Sequence, residues 1–244
     1  MRYKNIYPAS STYVVADFDR TITSKSMPLL IIRQNNLQYT NEANRLNDIY
    51  YPIEKSHSIS FVEKKKNILE WWQLYSQLFI DSGLSISQVQ DAISSPKIKL
   101  RQGIDFIEYI NQLQIPLIIV SATIDLIKDF LRINVNTDNI DMITNNFIWR
   151  NSIASYTKPL ITSCNKNEIN LDDFPEIKSN ITRTNLILLD SIDVLIKDSF
   201  PHSSVFKVFL NSPTNELLEI FREKFDLVLR NDDELDILKK LLCT

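Results

Sequence analysis

Glycine is scarce in this chain. Gly83 and Gly103 are the only two among 244 residues, where about 7% is usual. Loops that hold phosphate commonly use glycine to bring the backbone close to the anion, so a phosphate site here has little of that help. Cysteine is equally scarce. Cys164 and Cys243 stand far apart, with no CxxC or Cys/His spacing. That excludes an ordinary structural zinc site and leaves two free thiols in a reducing compartment. No uninterrupted apolar run reaches the ~18 residues of a membrane span. The opening MRYKNIYPASSTYVVADFD lacks the apolar region of a signal peptide. A soluble cytoplasmic protein is expected. Charge of one sign does not dominate either. The formal net charge of −3 gives no basic bias toward nucleic acid or anionic lipid.

What is present is ordinary globular material, 44% apolar, enough to close a core without staples. Apolar periodicity predicts helices over 28–36, 41–51 (closed by Pro52), 60–82 (with Gly83 ending it) and 85–94. It also predicts helices over 104–113, 124–133, 215–224 and 233–242. Short β-branched runs predict strands over 13–16, 116–121, 141–149, 185–189, 205–210 and 225–229. Strands alternating with helices imply an α/β fold, with a mostly parallel sheet covered on both faces. The helices between the first two strands read as an insertion. The division is a core of residues 1–25 and 98–244 with a helical cap of 26–97. An insertion there lies over the carboxyl ends of the strands, where open α/β sheets bind ligands.

The chemistry gathers at those strand ends. In YVVADFDRTIT, Asp17 and Asp19 follow the first strand two residues apart, and Thr21 comes two further on. In an extended chain such positions face the same way. Neighbouring carboxylates repel unless a proton or a cation lies between them. Mg²⁺, which takes oxygen ligands, is the simplest answer, and Asp190 ends another strand as a second carboxylate. Ser121 ends a third strand, and Lys166 lies in the polar loop SCNKNE. An acid pair, a hydroxyl, a lysine and a further acid, in that order, suit phosphoryl transfer to an aspartate.

This order resembles the haloacid dehalogenase superfamily. The segments YYPIE (50–54), VEK followed by LEWW (62–72), PLIIVSA (116–122), NKNE (165–168) and LLDS (188–191) resemble the cytosolic 5′-nucleotidase III, or pyrimidine 5′-nucleotidase, family over nearly the whole chain. The resemblance implies a Rossmann-like core and a Mg²⁺-dependent phosphatase acting on nucleoside 5′-monophosphates, with a pyrimidine base expected. It implies Asp17 as nucleophile and Asp19 as general acid and base. Thr21, Ser121 and Lys166 would hold the phosphoryl oxygens. Asp17, the main-chain carbonyl of Asp19, and Asp190 would hold the metal. Glu63, with Trp71 or Trp72 beside it, would receive the base.

Two motifs depart from the family pattern. Where the family has Ser-Ala-Gly-Ile-Gly-Asp, residues 121–126 read SATIDL. Where it has Gly-Asp-Ser-x-Gly-Asp, residues 189–194 read LDSIDV. The second acid of that last motif is replaced by Val194, and Asp193, one residue early, is the remaining candidate ligand. Two alternatives therefore stand beside the nucleotidase: the same chemistry on another small phosphate ester, or a non-catalytic family member acting as a binding or scaffold protein.

Overall fold

The computed structural model describes residues 7–35, 37–56, 58–95, 100–101, 105–135, 140–190, 199–210, 215–229 and 232–243. The chain begins with a two-residue strand, β1 (Tyr7–Pro8), and then β2 (Thr12–Ala16). Four helices follow: α1 (Met27–Asn35), α2 (Leu37–Lys55), α3 (Phe61–Asp81) and α4 (Ile86–Ile93). Next come α5 (Asp105–Gln112), β3 (Leu117–Ile124), α6 (Ile127–Val135) and β4 (Ile140–Asn145). A small hairpin, β5 (Phe147–Trp149) and β6 (Ile153–Tyr156), precedes α7 (Pro175–Asn180) and β7 (Asn185–Asp190). The chain closes with β8 (Ser204–Leu210), α8 (Asn215–Lys224), β9 (Leu227–Leu229), a 3₁₀ segment (Asp232–Leu241) and β10 (Leu242–Cys243).

Six strands form one parallel sheet in the order β4-β3-β2-β7-β8-β9. The order runs outward from β2 in both directions, which puts a crevice at the carboxyl end of β2. The sequence of the central strands explains their place. Val14, Ala16, Leu117, Ile119, Ile187 and Leu189 join the apolar cluster on one face. Their neighbours Tyr13, Val15, Ile118, Val120, Leu186 and Leu188 join the cluster on the other. Alternate residues point to opposite faces, so a strand apolar at every position is buried on both sides. Each such Val, Leu or Ile contributes about 1.5–3 kcal/mol by leaving water. Tyr13 keeps its one polar atom paired, donating to the Pro201 carbonyl at 2.5 Å.

The helices between β2 and β3 end where local chemistry ends them. Ser60 caps α3 by accepting from the Glu63 N–H, and Gly83, at φ +64°, takes the left-handed turn after it. Ser85 and Gln88 close a reciprocal capping box on α4. Among the described residues no helix is long and apolar enough to cross a membrane.

Four expectations change. Helix α2 does not stop at Tyr51 but continues through Pro52 to Lys55. Pro52 is exposed and near the end of the helix, so the missing N–H removes one bond and breaks nothing downstream. Strand β3 does not end at Ser121. It runs on to Ile124, with its pairing to β4 shifting register between Val120 and Ile124; Thr123 and Ile124 are β-branched and favour extension. The single strand expected over 141–149 is two strands, broken at Asn146, and its second half pairs antiparallel with β6. The closing helix is a 3₁₀ segment.

Candidate active site

The loop after β2 is wound about one carbonyl. Phe18 O accepts the backbone N–H of Thr21, Ile22 and Thr23. The Phe18 ring is fully buried and meets Phe130 of α6 edge-on at 5.9 Å. With Phe18 anchored inward, Asp17 and Asp19 are turned the other way, into one cleft. Arg20 follows at φ 64°, a left-handed conformation uncommon outside glycine and asparagine.

Asp17 is 7% exposed and Lys166 4%, and they form an ion pair at 2.5 Å. Burial alone would lower the lysine pKa, but the carboxylates of Asp17 and Asp190 outweigh it and raise the value. The second Asp17 oxygen accepts from the Thr21 hydroxyl at 3.5 Å. Asp190 is 2% exposed. It follows Leu189, which is the register partner of Ala16, so Asp17 and Asp190 end adjacent strands side by side. Asp19 accepts the Met27 N–H at 2.6 Å. Burial pushes its carboxyl up to about 7, the Met27 hydrogen bond opposes this, and the Asp17 charge adds to it.

Lys166 owes its position to two asparagines. Asn145, buried at the end of β4, donates to the Ala122 carbonyl at 2.5 Å and the Ile161 carbonyl at 2.9 Å, and accepts from Ile161 N at 2.7 Å. Asn165 accepts from Thr162 N at 2.7 Å and donates to Leu160 O at 2.8 Å. The loop before Lys166 is thereby tied to β3 beside Ser121. A buried amide with its donors and acceptor filled specifies one loop geometry.

The cleft is open to solvent and spans about 660 Å³ of non-atom space, open solvent included. Asp17, Asp19, Ser121 and Lys166 line one end. Trp71, Trp72 and Tyr75 of α3 and Glu54 of α2 also line it. Thr21 donates to Asp17 and Asp190 ends the neighbouring strand, and neither is on the wall. Trp71 lies parallel to Tyr50, with ring centroids 6.0 Å apart and planes at 11°, so one indole face is already covered. The buried Trp71 Nε1 and Tyr75 hydroxyl make no hydrogen bond among the described residues.

Glu63 is a correction. It sits in the exposed first turn of α3, away from the cleft wall. The acid brought to the cleft is Glu54, 8% exposed, which accepts from the Ser163 hydroxyl at 2.6 Å. Its signal was in the sequence. Ala43, Leu46, Tyr50 and Glu54 recur at helical spacing on the buried face of α2, which becomes visible once the helix is carried past Pro52. Asp193 lies outside the described residues.

Among the described residues, no three His, Cys, Asp or Glu side chains converge to hold a metal ion. The candidate set needs only two side-chain carboxylates, Asp17 and Asp190, with a main-chain carbonyl. Two buried carboxylates on adjacent strand ends, facing one lysine, are an all-oxygen donor set that fits a hard divalent cation.

A parallel sheet switching direction at β2, with an acid pair at its carboxyl end and helices inserted beyond it, is the fold of the haloacid dehalogenase-type phosphatases. A solved phosphoserine phosphatase with bound substrate superposes with a TM-score of 0.60 at 16% identity, covering 93% of this chain and 97% of that one. Cytosolic 5′-nucleotidase IIIB bound to cytidine superposes at 0.80 and 23% identity, covering 96% and 85%. The family model described as pyrimidine 5′-nucleotidase (UMPH-1) matches residues 14–244, and the chain belongs to that family. A 7-methylguanosine phosphate-specific 5′-nucleotidase B of Xenopus laevis is 30% identical over 248 residues, 94% of this chain and 86% of the relative.

Proposed function

We propose that the chain is a Mg²⁺-dependent phosphatase that hydrolyses nucleoside 5′-monophosphates, pyrimidine ones in the first place, through a phosphoryl group carried on Asp17. The observation that carries this reading is the buried Asp17–Lys166 pair, which opens into the same cleft as Glu54 and the α3 aromatics. Lys166 orients the Asp17 carboxylate and offers positive charge where phosphoryl oxygens arrive. Ser121 and Thr21 supply hydroxyl donors. Asp19, whose protonated form is favoured by burial, gives its proton to the departing ribose oxygen and then takes one from the water that releases phosphate. Asp17, the Asp19 carbonyl and Asp190 would hold Mg²⁺, which when bound neutralises charge on the phosphoryl group.

Residues 26–97 act as the cap. Glu54 and the α3 aromatics come from it, while Asp17, Asp19, Ser121 and Lys166 come from the core, so the cleft is shared by the two parts. Glu54 accepts from base N–H groups, and the free face of Trp71, or Trp72, stacks on the ring; stacking is worth ~1–3 kcal/mol. A second reading, 7-methylguanosine monophosphate, is favoured by the same carboxylate among indoles. A cationic base gains from both an acid and aromatic faces, and the Xenopus relative is named for that substrate. The cytosolic enzyme among the structural neighbours supports a cytoplasmic location.

The test is phosphate release from CMP, UMP, GMP, 7-methyl-GMP and p-nitrophenyl phosphate, with Mg²⁺ and with chelator. Mg²⁺-dependent release favouring CMP or UMP is expected. Preference for 7-methyl-GMP selects the second reading. Release from the aryl ester alone points to a different phosphate ester, and no release from folded protein points to a non-catalytic binding role.

A further inference from the structure

The Tyr75 hydroxyl is a buried donor with nothing to bond. Tyr75 lies on α3, lines the cleft and is only 6% exposed. Among the described residues its hydroxyl has no hydrogen-bond partner. The ring is held by Trp72 and Phe79, whose ring centroids are 6.2 Å and 5.9 Å away. The phenol therefore has a fixed place in the wall. A buried donor without an acceptor costs the full desolvation of that group. Phenylalanine would fill the same space without that cost.

The surroundings of the hydroxyl show which part of the cleft it serves. Helices α2 and α3 pack antiparallel. The Lys64 ammonium donates to the Glu54 carbonyl, Trp71 lies against Tyr50, and the Tyr39 hydroxyl donates to the Asp81 carbonyl. That register brings Asn47, another residue of the wall, about level with Tyr75. The wall also holds Asp19 and the first turn of α1, where Ser26 and Pro28 flank the Met27 N–H that Asp19 accepts. Burial raises the Tyr75 pKa, Arg33 opposes this, and the Asp19 carboxylate adds to it. The phenol thus lies within reach of the Asp19 charge.

We infer that Tyr75 is a specificity residue for the sugar: its hydroxyl donates to a ribose hydroxyl oxygen of the bound nucleotide, so that the chain selects ribonucleoside over deoxyribonucleoside 5′-monophosphates. The inference rests on the nucleotidase reading above. In that reading Asp19 gives its proton to O5′, and the sugar is the part of the substrate bonded to that oxygen. A donor close to Asp19 therefore meets the sugar before the base. A ribose hydroxyl accepts from the phenol. A deoxy carbon does not, and it leaves the Tyr75 donor stranded in the closed complex.

The experiment is steady-state kinetics of the full chain with Mg²⁺ on CMP, 2′-deoxy-CMP, 3′-deoxy-CMP and p-nitrophenyl phosphate, for wild type and Tyr75→Phe. Wild-type kcat/KM for CMP should exceed that for at least one deoxy analogue by about tenfold or more. Tyr75→Phe should bring that ratio to within about twofold by lowering the value for CMP. Equal wild-type values for the three nucleotides, a ratio that Tyr75→Phe leaves standing, or a loss on p-nitrophenyl phosphate as large as on CMP overturns the inference. Thermal unfolding separates substrate reading from packing. With no partner to lose, Tyr75→Phe should melt no more than about 3 °C below wild type, and a larger fall means that the hydroxyl is bonded in the free chain and overturns the inference too. Calorimetric binding of the three nucleotides to Asp17→Asn, with and without Tyr75→Phe, distinguishes the two readings. Tighter CMP binding that Tyr75→Phe abolishes, without wild-type turnover of any ester, overturns the phosphatase reading alone. Equal binding of the three nucleotides, with turnover present, overturns the ribose contact alone.

Discussion

The two ends of the cleft are built differently. The sheet end is assembled from strand residues: Asp17 after β2, Ser121 within β3 and, behind the wall, Asp190 ending β7, with Lys166 on a loop tied back to β3 and β4 by Asn145. All four side chains are buried, and Asp17 and Lys166 form an ion pair. The other end is assembled from helix faces, Glu54 on α2 and Trp71, Trp72 and Tyr75 on α3. Its groups are mostly aromatic, and two of its polar atoms, Trp71 Nε1 and the Tyr75 hydroxyl, lack partners among the described residues. A parallel sheet fixes the first set through shared register, so one substitution there disturbs the others. Helix faces fix the second set one residue at a time. Changes at the sheet end should therefore strike every substrate, and changes at the helix end should sort substrates from one another.

The largest effect is expected from Asp17→Asn. Loss of the nucleophile should lower turnover of every ester by ~10⁴-fold or more, nucleotide and aryl phosphate alike, with the circular dichroism spectrum retained. Residual activity within tenfold of wild type would refute the nucleophile assignment. Chelation of Mg²⁺ should likewise abolish release from all esters, with recovery on adding the metal back. Lys166→Met comes next. Removing a charge aimed at the phosphoryl oxygens should lower turnover by ~10²–10³-fold. It should also destabilise the fold by about 3–5 kcal/mol, because Asp17 would be left buried without its partner. Denaturant unfolding of the double variant Asp17→Asn, Lys166→Met should return a large part of that loss. If the double variant is no more stable than Lys166→Met alone, the pair is not coupled as the 2.5 Å contact implies.

How far the sequence could be read follows the same division. The places of Asp17 and Asp190 were legible because an apolar run ending in an acid marks both the strand and its carboxyl end; Ser121 was read as a strand end but lies within β3. The sheet's parallel order followed from alternating strands and helices. What was not legible depended on context. Pro52 is tolerated because it lies exposed near the end of α2, which the local sequence does not announce. The extension of β3 to Ile124 depends on pairing with β4, a partner distant in the chain. Asn145 and Asn165 look like ordinary polar residues until the loop they hold is folded. Glu63 was expected at the base from the family resemblance, whereas the folded chain leaves it exposed and brings Glu54 of α2 to the cleft wall.

The contrast between Glu54 and Glu63 sets the smallest and sharpest test. Glu54 is buried, bonded to Ser163 and on the cleft wall, while Glu63 is exposed and serves α3 through its backbone, its N–H going to the Ser60 cap and its carbonyl accepting from the Asn67 amide. Glu54→Gln keeps the shape and an acceptor for Ser163 but removes the charge and one acceptor from the base. A lost hydrogen bond to a charged group corresponds to ~10–10²-fold in kcat/KM. The loss should fall on CMP and UMP and leave p-nitrophenyl phosphate within about threefold of wild type. Glu63→Ala should change neither substrate class by more than about twofold, because the exposed side chain is off the cleft wall and the backbone N–H that meets the Ser60 cap is kept. The informative quantity is the ratio of nucleotide to aryl-phosphate rate in the two variants. A ratio that falls for Glu54→Gln and holds for Glu63→Ala assigns base reading to the buried face of α2. A ratio that falls for Glu63→Ala would mean that the first turn of α3 reaches the base in the working enzyme, and that the cleft closes further around its substrate.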